Sequence, residues 1–212
     1  MSVENDARFW DRTSANYAKT AISDRAGYQR TLDRTRALLR PDHRVLELGC
    51  GTGTTALLLA GEVNSYLGTD ISGAMIAIAE EKAAVTLIPA LAFRIATAET
   101  LVSEGIRFNA VLGFNYLHLV RDVRATLQAI HALLAPDGLF VSKTPCLGDM
   151  NPLIRLALLP AMQALKMAPH TSAFSAEELK QFITAAGFEF LTVESHATKG
   201  KDNRPYIAAR RK

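Results

Sequence analysis

Val45-Leu46-Glu47-Leu48-Gly49-Cys50-Gly51-Thr52-Gly53 decides how the rest of this 212-residue chain is read. Val45 to Leu48 is apolar and β-favouring around Glu47. Three glycines then alternate with small residues, and Thr54-Thr55-Ala56-Leu57-Leu58-Leu59-Ala60 follows with helical character. The order strand, tight turn, helix marks a ligand-binding turn. Glycine lets the backbone take positive φ and lets a ligand approach without meeting a Cβ, and the N–H groups of a helix start are available to oxygen atoms. G-x-G-x-G alone is a weak signal. Two acidic residues sharpen it: Glu47 stands two residues before Gly49, and Asp70 follows the next strand-like run, Ser65-Tyr66-Leu67-Gly68-Thr69. A carboxylate at that place can accept two hydrogen bonds from a ribose diol.

Beyond Asp70, Ser72 to Ala84 reads as a helix with a capping serine. Leu91 to Ile95 is a short strand and Arg107 to Gly113 another, followed by Phe114-Asn115-Tyr116-Leu117-His118-Leu119. Val123 to Leu134 has the spacing of an amphipathic helix. It stops at Pro136-Asp137-Gly138, where proline presets φ and the glycine is expected to supply positive φ, before Leu139 to Val141 opens a fifth strand. Strands alternating with helices imply a mainly parallel, doubly wound sheet with helices on both faces. Ligands of such sheets bind outside the carboxyl ends of the strands, which places Phe114 and the residues after it at the ligand edge. The tail differs: a capped helix runs from Ser175 to Ala186, and strands at Phe188 to Val193 and Arg204 to Ala209 are joined by a short polar turn, so they are antiparallel. Residues 1–40 carry two helices and no strand, with Phe9, Trp10 and Tyr17 on the first and Tyr28 and Leu32 on the second.

Composition narrows the class. The chain is 49% hydrophobic and 21% charged, which suits one α/β domain with a substantial core. A net charge of +3, scattered except for Arg210-Arg211-Lys212 and the pair Lys199 and Lys201, lacks the basic stripe of a nucleic-acid reader, so no nucleic-acid partner is expected. Cys50 and Cys146 show no metal-ligand spacing, and no metal is expected. The N-terminus has no apolar leader and no stretch reaches membrane-spanning length, so the expectation is a cytoplasmic protein with no transmembrane segment.

In these residues the chain resembles the class I S-adenosylmethionine-dependent methyltransferases of small-molecule type. The likeness lies in Val45 to Gly53, in Gly68-Thr69-Asp70-Ile71-Ser72 with Met75 following, in Leu134-Ala135-Pro136-Asp137-Gly138-Leu139-Phe140, and in Ala186-Gly187-Phe188. It implies a single Rossmann-like domain over residues 1–212, with a doubly wound seven-stranded sheet whose last strand is antiparallel and a helical N-terminal cap over residues 1–40. The tail pattern agrees independently. The resemblance further implies S-adenosyl-L-methionine as cofactor, S-adenosyl-L-homocysteine as product and a small-molecule acceptor. The cofactor-binding positions it implies are Tyr17, Glu47, Gly49, Cys50, Gly51, Asp70, Ile71, Met75, Thr97, Ala98, Glu99 and Phe114. An aspartate often stands in the family where Thr97 stands here, which shifts the expected adenine contact to the backbone N–H of Ala98.

Methyl transfer from a sulfonium is an in-line displacement, so positioning supplies much of the catalysis and no fixed triad is needed. No Asn-Pro-Pro-Tyr-type run holds an exocyclic amine, and the scattered aromatics suit a small, partly apolar acceptor. His118 is the candidate catalytic base, since it follows the fourth strand and an ordinary imidazole titrates near neutrality; a structural role is the alternative. Ser142, Lys143 and Thr144 end the fifth strand beside the same edge. Residues 145–174 form an extra, Met- and Leu-rich helical insertion, which reads equally as an acceptor lid, a packed helix or a homodimer contact. Two rival functions stand beside methyl transfer. A nicotinamide-dependent oxidoreductase would suit Asp70 but needs its third glycine at Thr54, and a non-catalytic S-adenosylmethionine-binding regulator would need only the binding motifs.

Overall fold

The computed structural model describes residues 3–150, 153, 159–164, 168–198 and 203–212. Helices α1 (Val3–Lys19) and α2 (Arg25–Arg36) precede the first strand. Alternation then runs through β1 (Arg44–Leu48), α3 (Thr54–Leu59), β2 (Ser65–Asp70), α4 (Gly73–Thr86), β3 (Leu91–Ile95), α5 (Ala98–Val102), β4 (Phe108–Phe114), α6 (Val123–Leu133) and β5 (Leu134–Lys143). After the short helix α7 (Leu159–Ala164), helix α8 (Ala176–Ala185) leads to β6 (Phe188–Glu194) and β7 (Tyr206–Arg211). The sheet order is β3-β2-β1-β4-β5-β7-β6, with β7 antiparallel to both of its neighbours and the other pairings parallel. This is the Rossmann-like, doubly wound order that the resemblance implies, with strand order reversing between β1 and β4.

Side chains alternate across the sheet with the two-residue period of strands, and each face has its own core. Leu46, Leu48, Val111, Phe140 and Ile207 pack with Leu101 of α5, Leu127 and Ile130 of α6, and Leu179 and Ile183 of α8. Val45, Leu112, Val141 and Tyr206 pack on the other face with Leu32 of α2 and with Ala56 and Leu59 of α3. Burial on both faces is why Val45-Leu46-Glu47-Leu48 reads as a nearly unbroken apolar run.

Two sequence expectations need correction. Helix α6 ends at Leu133, and Leu134 already pairs with Phe108 as the first residue of β5; the ladder then jumps to Ala110 opposite Leu139, so Ala135 to Gly138 loop out as a bulge. Within that bulge Asp137, not Gly138, takes the positive φ (58°). Gly138 is required for a different reason, since a Cβ there would stand 2.8 Å from the Ala135 carbonyl oxygen.

The helical insertion expected over residues 145–174 falls partly outside the described residues, including Leu158. Its described part is anchored at its end: Ser172 donates its N–H to the His118 carbonyl at 2.8 Å and its hydroxyl to the Val120 carbonyl at 2.7 Å, and Phe174 enters the core. Among the described residues, no helix is long and apolar enough to cross a membrane.

Candidate functional site

Gly49, Gly51 and Gly53 take φ of 67°, 54° and 74° as the chain leaves β1. Sterics reinforce the conformation at two of them. A Cβ on Gly49 would lie 2.7 Å from the Tyr116 ring, and one on Gly53 would lie 2.7 Å from Phe93 and 2.8 Å from Ala79. Above Gly51 the nearest atom is a Tyr17 ring carbon at 3.6 Å from such a Cβ. Asp70, ending β2, holds this turn from the side: Oδ2 accepts the Gly51 N–H at 3.0 Å and Oδ1 accepts the Ser72 N–H at 2.9 Å. Each carboxylate oxygen has a further lone pair for a ligand hydroxyl. Burial raises the Asp70 pKa, while the N–H groups of Ser72, Gly51 and Ile71 oppose that rise.

Glu47 is buried beneath the turn, at 3% exposure, and accepts the Tyr66 hydroxyl at 2.8 Å. Burial pushes its pKa up to about 8 against that hydrogen bond. The carboxyl is therefore largely protonated at neutral pH.

Helix α1 lies over the turn because it is clamped on both sides of it. Asp11 Oδ1 accepts the Ser72 hydroxyl at 2.7 Å and the Ala74 N–H at 3.1 Å, capping α4 from outside its own chain segment. Asp6, 9% exposed, takes a two-pronged bond from the Arg121 guanidinium, with both contacts at 2.9 Å. On the same helix Trp10 meets Tyr17 edge to face at 6.0 Å. Tyr17 is half exposed, and its hydroxyl pKa is raised by burial first and then by Asp70 and Glu47, which places it on the carboxylate side of the turn.

A cavity of about 710 Å³ opens beside the turn. The end of α1, the α1–α2 link and α2 supply Tyr17, Ile22, Asp24, Arg25, Tyr28 and Thr31; the turn and strand ends supply Glu47, Gly49, Cys50, Phe114, Asn115 and Lys143; Arg204 closes it from before β7. Of the twelve residues implied by the resemblance, Tyr17, Glu47, Gly49, Cys50 and Phe114 line this cavity. The rest follow the turn and the exits of β2 and β3. Thr97 spends its hydroxyl capping α5 by accepting the Thr100 N–H, so Ala98 is the first residue of that helix. Glu99 accepts the Thr126 hydroxyl at 2.8 Å, and Met75 is buried at 2% exposure.

His118 behaves differently from the expectation of a group titrating near neutrality. Its Nδ1 is 2.9 Å from the Thr144 hydroxyl, which also accepts the His118 N–H at 3.2 Å, and the ring is largely enclosed. Burial, with Arg204 adding to it, lowers its pKa to about 4, so it is a neutral and weakly basic imidazole at pH 7. It is not among the described residues that line the cavity, and neither is any described residue of 145–174. The walls that sequence reasoning missed come from Ile22 to Arg25, Thr31 and Arg204. Asn115, placed at the ligand edge by its position directly after β4, does line the cavity and adopts φ 50° in the left-handed region.

The profile of a methyltransferase domain family matches residues 20–193. The chain belongs to this family. Among relatives of this methyltransferase domain, the arginine-hydroxylase NDUFAF5 of human mitochondria is 30% identical over 193 residues, 89% of this chain and 53% of that protein. The ubiquinone biosynthesis O-methyltransferase of Rhizobium etli is 29% identical over 151 residues, covering 69% of this chain and 60% of its own. The chain spans about half the length of the curated relatives it matches. In shape the methyltransferase domain is similar to DhpI, solved with S-adenosylhomocysteine, at a TM-score of 0.73 and 20% identity over 99% of this chain and 96% of that one.

Proposed function

We propose that the protein transfers the methyl group of S-adenosylmethionine to a small, partly apolar acceptor. One observation carries the reading: the Asp70 carboxylate, the positive-φ glycine turn and the capping helix α1 converge on one site that opens into the 710 Å³ cavity. The residues fit the cofactor. Asp70 would offer lone pairs to a ribose diol, Gly51 would let a ligand approach its backbone, and Glu47, on the cavity wall with Gly49, would offer a carboxyl to the cofactor's cationic groups. When bound, the cofactor supplies an electrophilic methyl whose sulfur leaves with the bonding pair. The chain then has to hold the acceptor's nucleophile in line, exclude water through α1, and leave the acceptor proton a path to solvent. With its low pKa and its place outside the cavity walls, His118 suits a positioning role better than proton removal.

The human relative's name gives one specific rival, a protein of this fold that hydroxylates. Incubating the protein with S-adenosylmethionine and a panel of small phenols, amines and carboxylic acids separates the readings by mass spectrometry. Methyl transfer adds one methylene's mass to an acceptor and yields S-adenosylhomocysteine in equal amount. Gain of an oxygen, or no S-adenosylhomocysteine with any acceptor, would overturn the proposal.

A further inference from the structure

The charged walls of the cavity point to a more specific acceptor. Among the described residues, five charged side chains line it: Arg25, Lys143 and Arg204 are cationic, Asp24 and Glu47 acidic. Both acids are already engaged. Asp24 accepts the Gly27 N–H at 2.9 Å, the Thr198 hydroxyl at 2.7 Å and the Thr198 N–H at 2.9 Å. Glu47 is held by Tyr66 and is largely protonated at neutral pH. Among the described lining residues, three cations therefore face one ionised acid, Asp24, whose carboxyl pKa is lowered in part by Lys143, and one largely neutral acid, Glu47.

Lys143 is the best-positioned of the three cations. It is the last residue of β5, and its carbonyl accepts the Asn115 N–H at 2.8 Å. Its ammonium donates to the Thr31 hydroxyl at 3.0 Å. Thr31 is 3% exposed and lies 3.0 Å from His196 Nδ1, whose Nε2 is 3.0 Å from Glu194 and whose ring stacks on Tyr206 at 4.6 Å. A chain of partners in which Thr31, His196 and Tyr206 are buried thus fixes where the ammonium stands, the kind of support that makes a charged anchor specific. Lys143 pairs in register with Tyr206, so Arg204, two residues earlier, comes in beside the same strand end.

We propose that the acceptor is a small carboxylic acid, seated by Lys143 with Arg204 beside it, its apolar body walled by Tyr17, Tyr28 and Phe114. Thr31 is a positioning residue that acts through Lys143. This rests on the methyltransferase reading of the same site but is tested separately. Benzoate, phenylacetate, cinnamate and their primary amides are titrated calorimetrically into protein saturated with S-adenosylhomocysteine. The expected result is that the tightest acid binds about tenfold or more tighter than its amide, the size of one charge-assisted hydrogen bond. Lys143→Met should abolish that preference and leave S-adenosylhomocysteine affinity unchanged. Thr31→Val should reduce the acid-to-amide ratio severalfold without altering amide binding, and Thr31→Ser should restore it. Equal affinities, or no binding by any of the three acids, would overturn the proposal. So would a Lys143→Met variant that loses S-adenosylhomocysteine, because the lysine would then serve the cofactor's own carboxylate. If the wild type fails to bind S-adenosylhomocysteine, the methyltransferase reading falls instead, and the same titrations on the ligand-free protein still read the preference for acids.

Discussion

Removing the Asp70 carboxylate takes away the acceptor of the Gly51 and Ser72 N–H groups as well as the group offered to a ribose. A charged hydrogen bond is worth about 1.5–3 kcal/mol, so Asp70→Ala should weaken S-adenosylhomocysteine binding roughly ten- to a hundredfold or more, measured by calorimetry. Asp70→Asn should lose less, since its carbonyl still accepts one of the two N–H bonds. Glu47 makes a prediction of the opposite kind, about pH. With an ordinary value of 4.5 and a folded value of about 8, the unfolded chain loses this proton while the folded chain keeps it. Between those values the unfolded state binds fewer protons, so stability falls as pH rises and levels off above about 8. Thermal melts of Glu47→Gln across the same range should lose that slope; an unchanged slope would assign it to another group. Asp70 and Glu47 were readable in sequence because their spacing from the glycines is local. The low pKa of His118 was not, because burial and Arg204, 86 positions away in the chain, produce it together.

At the scale of elements, α1 is the most consequential piece after the glycine turn. Its two clamps reach α4 through Asp11 and the loop after β4 through Arg121, so on the proposed function the helix would cover the cofactor site. Asp6→Asn keeps the shape and removes the charge from a partly buried pair, leaving Arg121 without its carboxylate. Dissociation of S-adenosylhomocysteine, followed by stopped-flow fluorescence of Trp10, should speed up about tenfold. An unchanged rate would mean that exchange does not require α1 to lift. Most elements were legible from periodicity and capping, as with Ser72 before α4 and Ser175 with Glu178 before α8. The bulge inside β5 was less so. Asp137 takes positive φ despite having a Cβ, and the adjacent glycine answers to close contact with Ala135 and Leu134, a local geometry created by the register jump and not readable from residue type. Part of the cavity wall was hidden because it depends on long-range packing: Lys143 was legible as the end of the fifth strand, but Thr31 and Arg204 lie far from it in the chain.

For the whole molecule, a ligand that binds only the folded state stabilises it by mass action. At a hundred times its dissociation constant, S-adenosylhomocysteine should add about 2.7 kcal/mol, which raises the melting temperature of a domain of this size by roughly 5–10 °C. NAD at the same concentration should leave the melt unchanged; a shift with NAD alone would revive the oxidoreductase reading.

The placement of β7 between β5 and β6 bears on how the chain comes off the ribosome. β6 is synthesised before β7, yet it reaches the sheet only across β7. Until residues 206–211 emerge, the outer edge of β5 lies bare and β6 has no place to dock. Lys143, on that edge, gains its Tyr206 partner only in this last step. Vectorial synthesis thus completes the glycine turn long before the far wall of the cavity. A nascent chain stalled before β7 should be open to protease at β6 while its β1–β4 half is already protected.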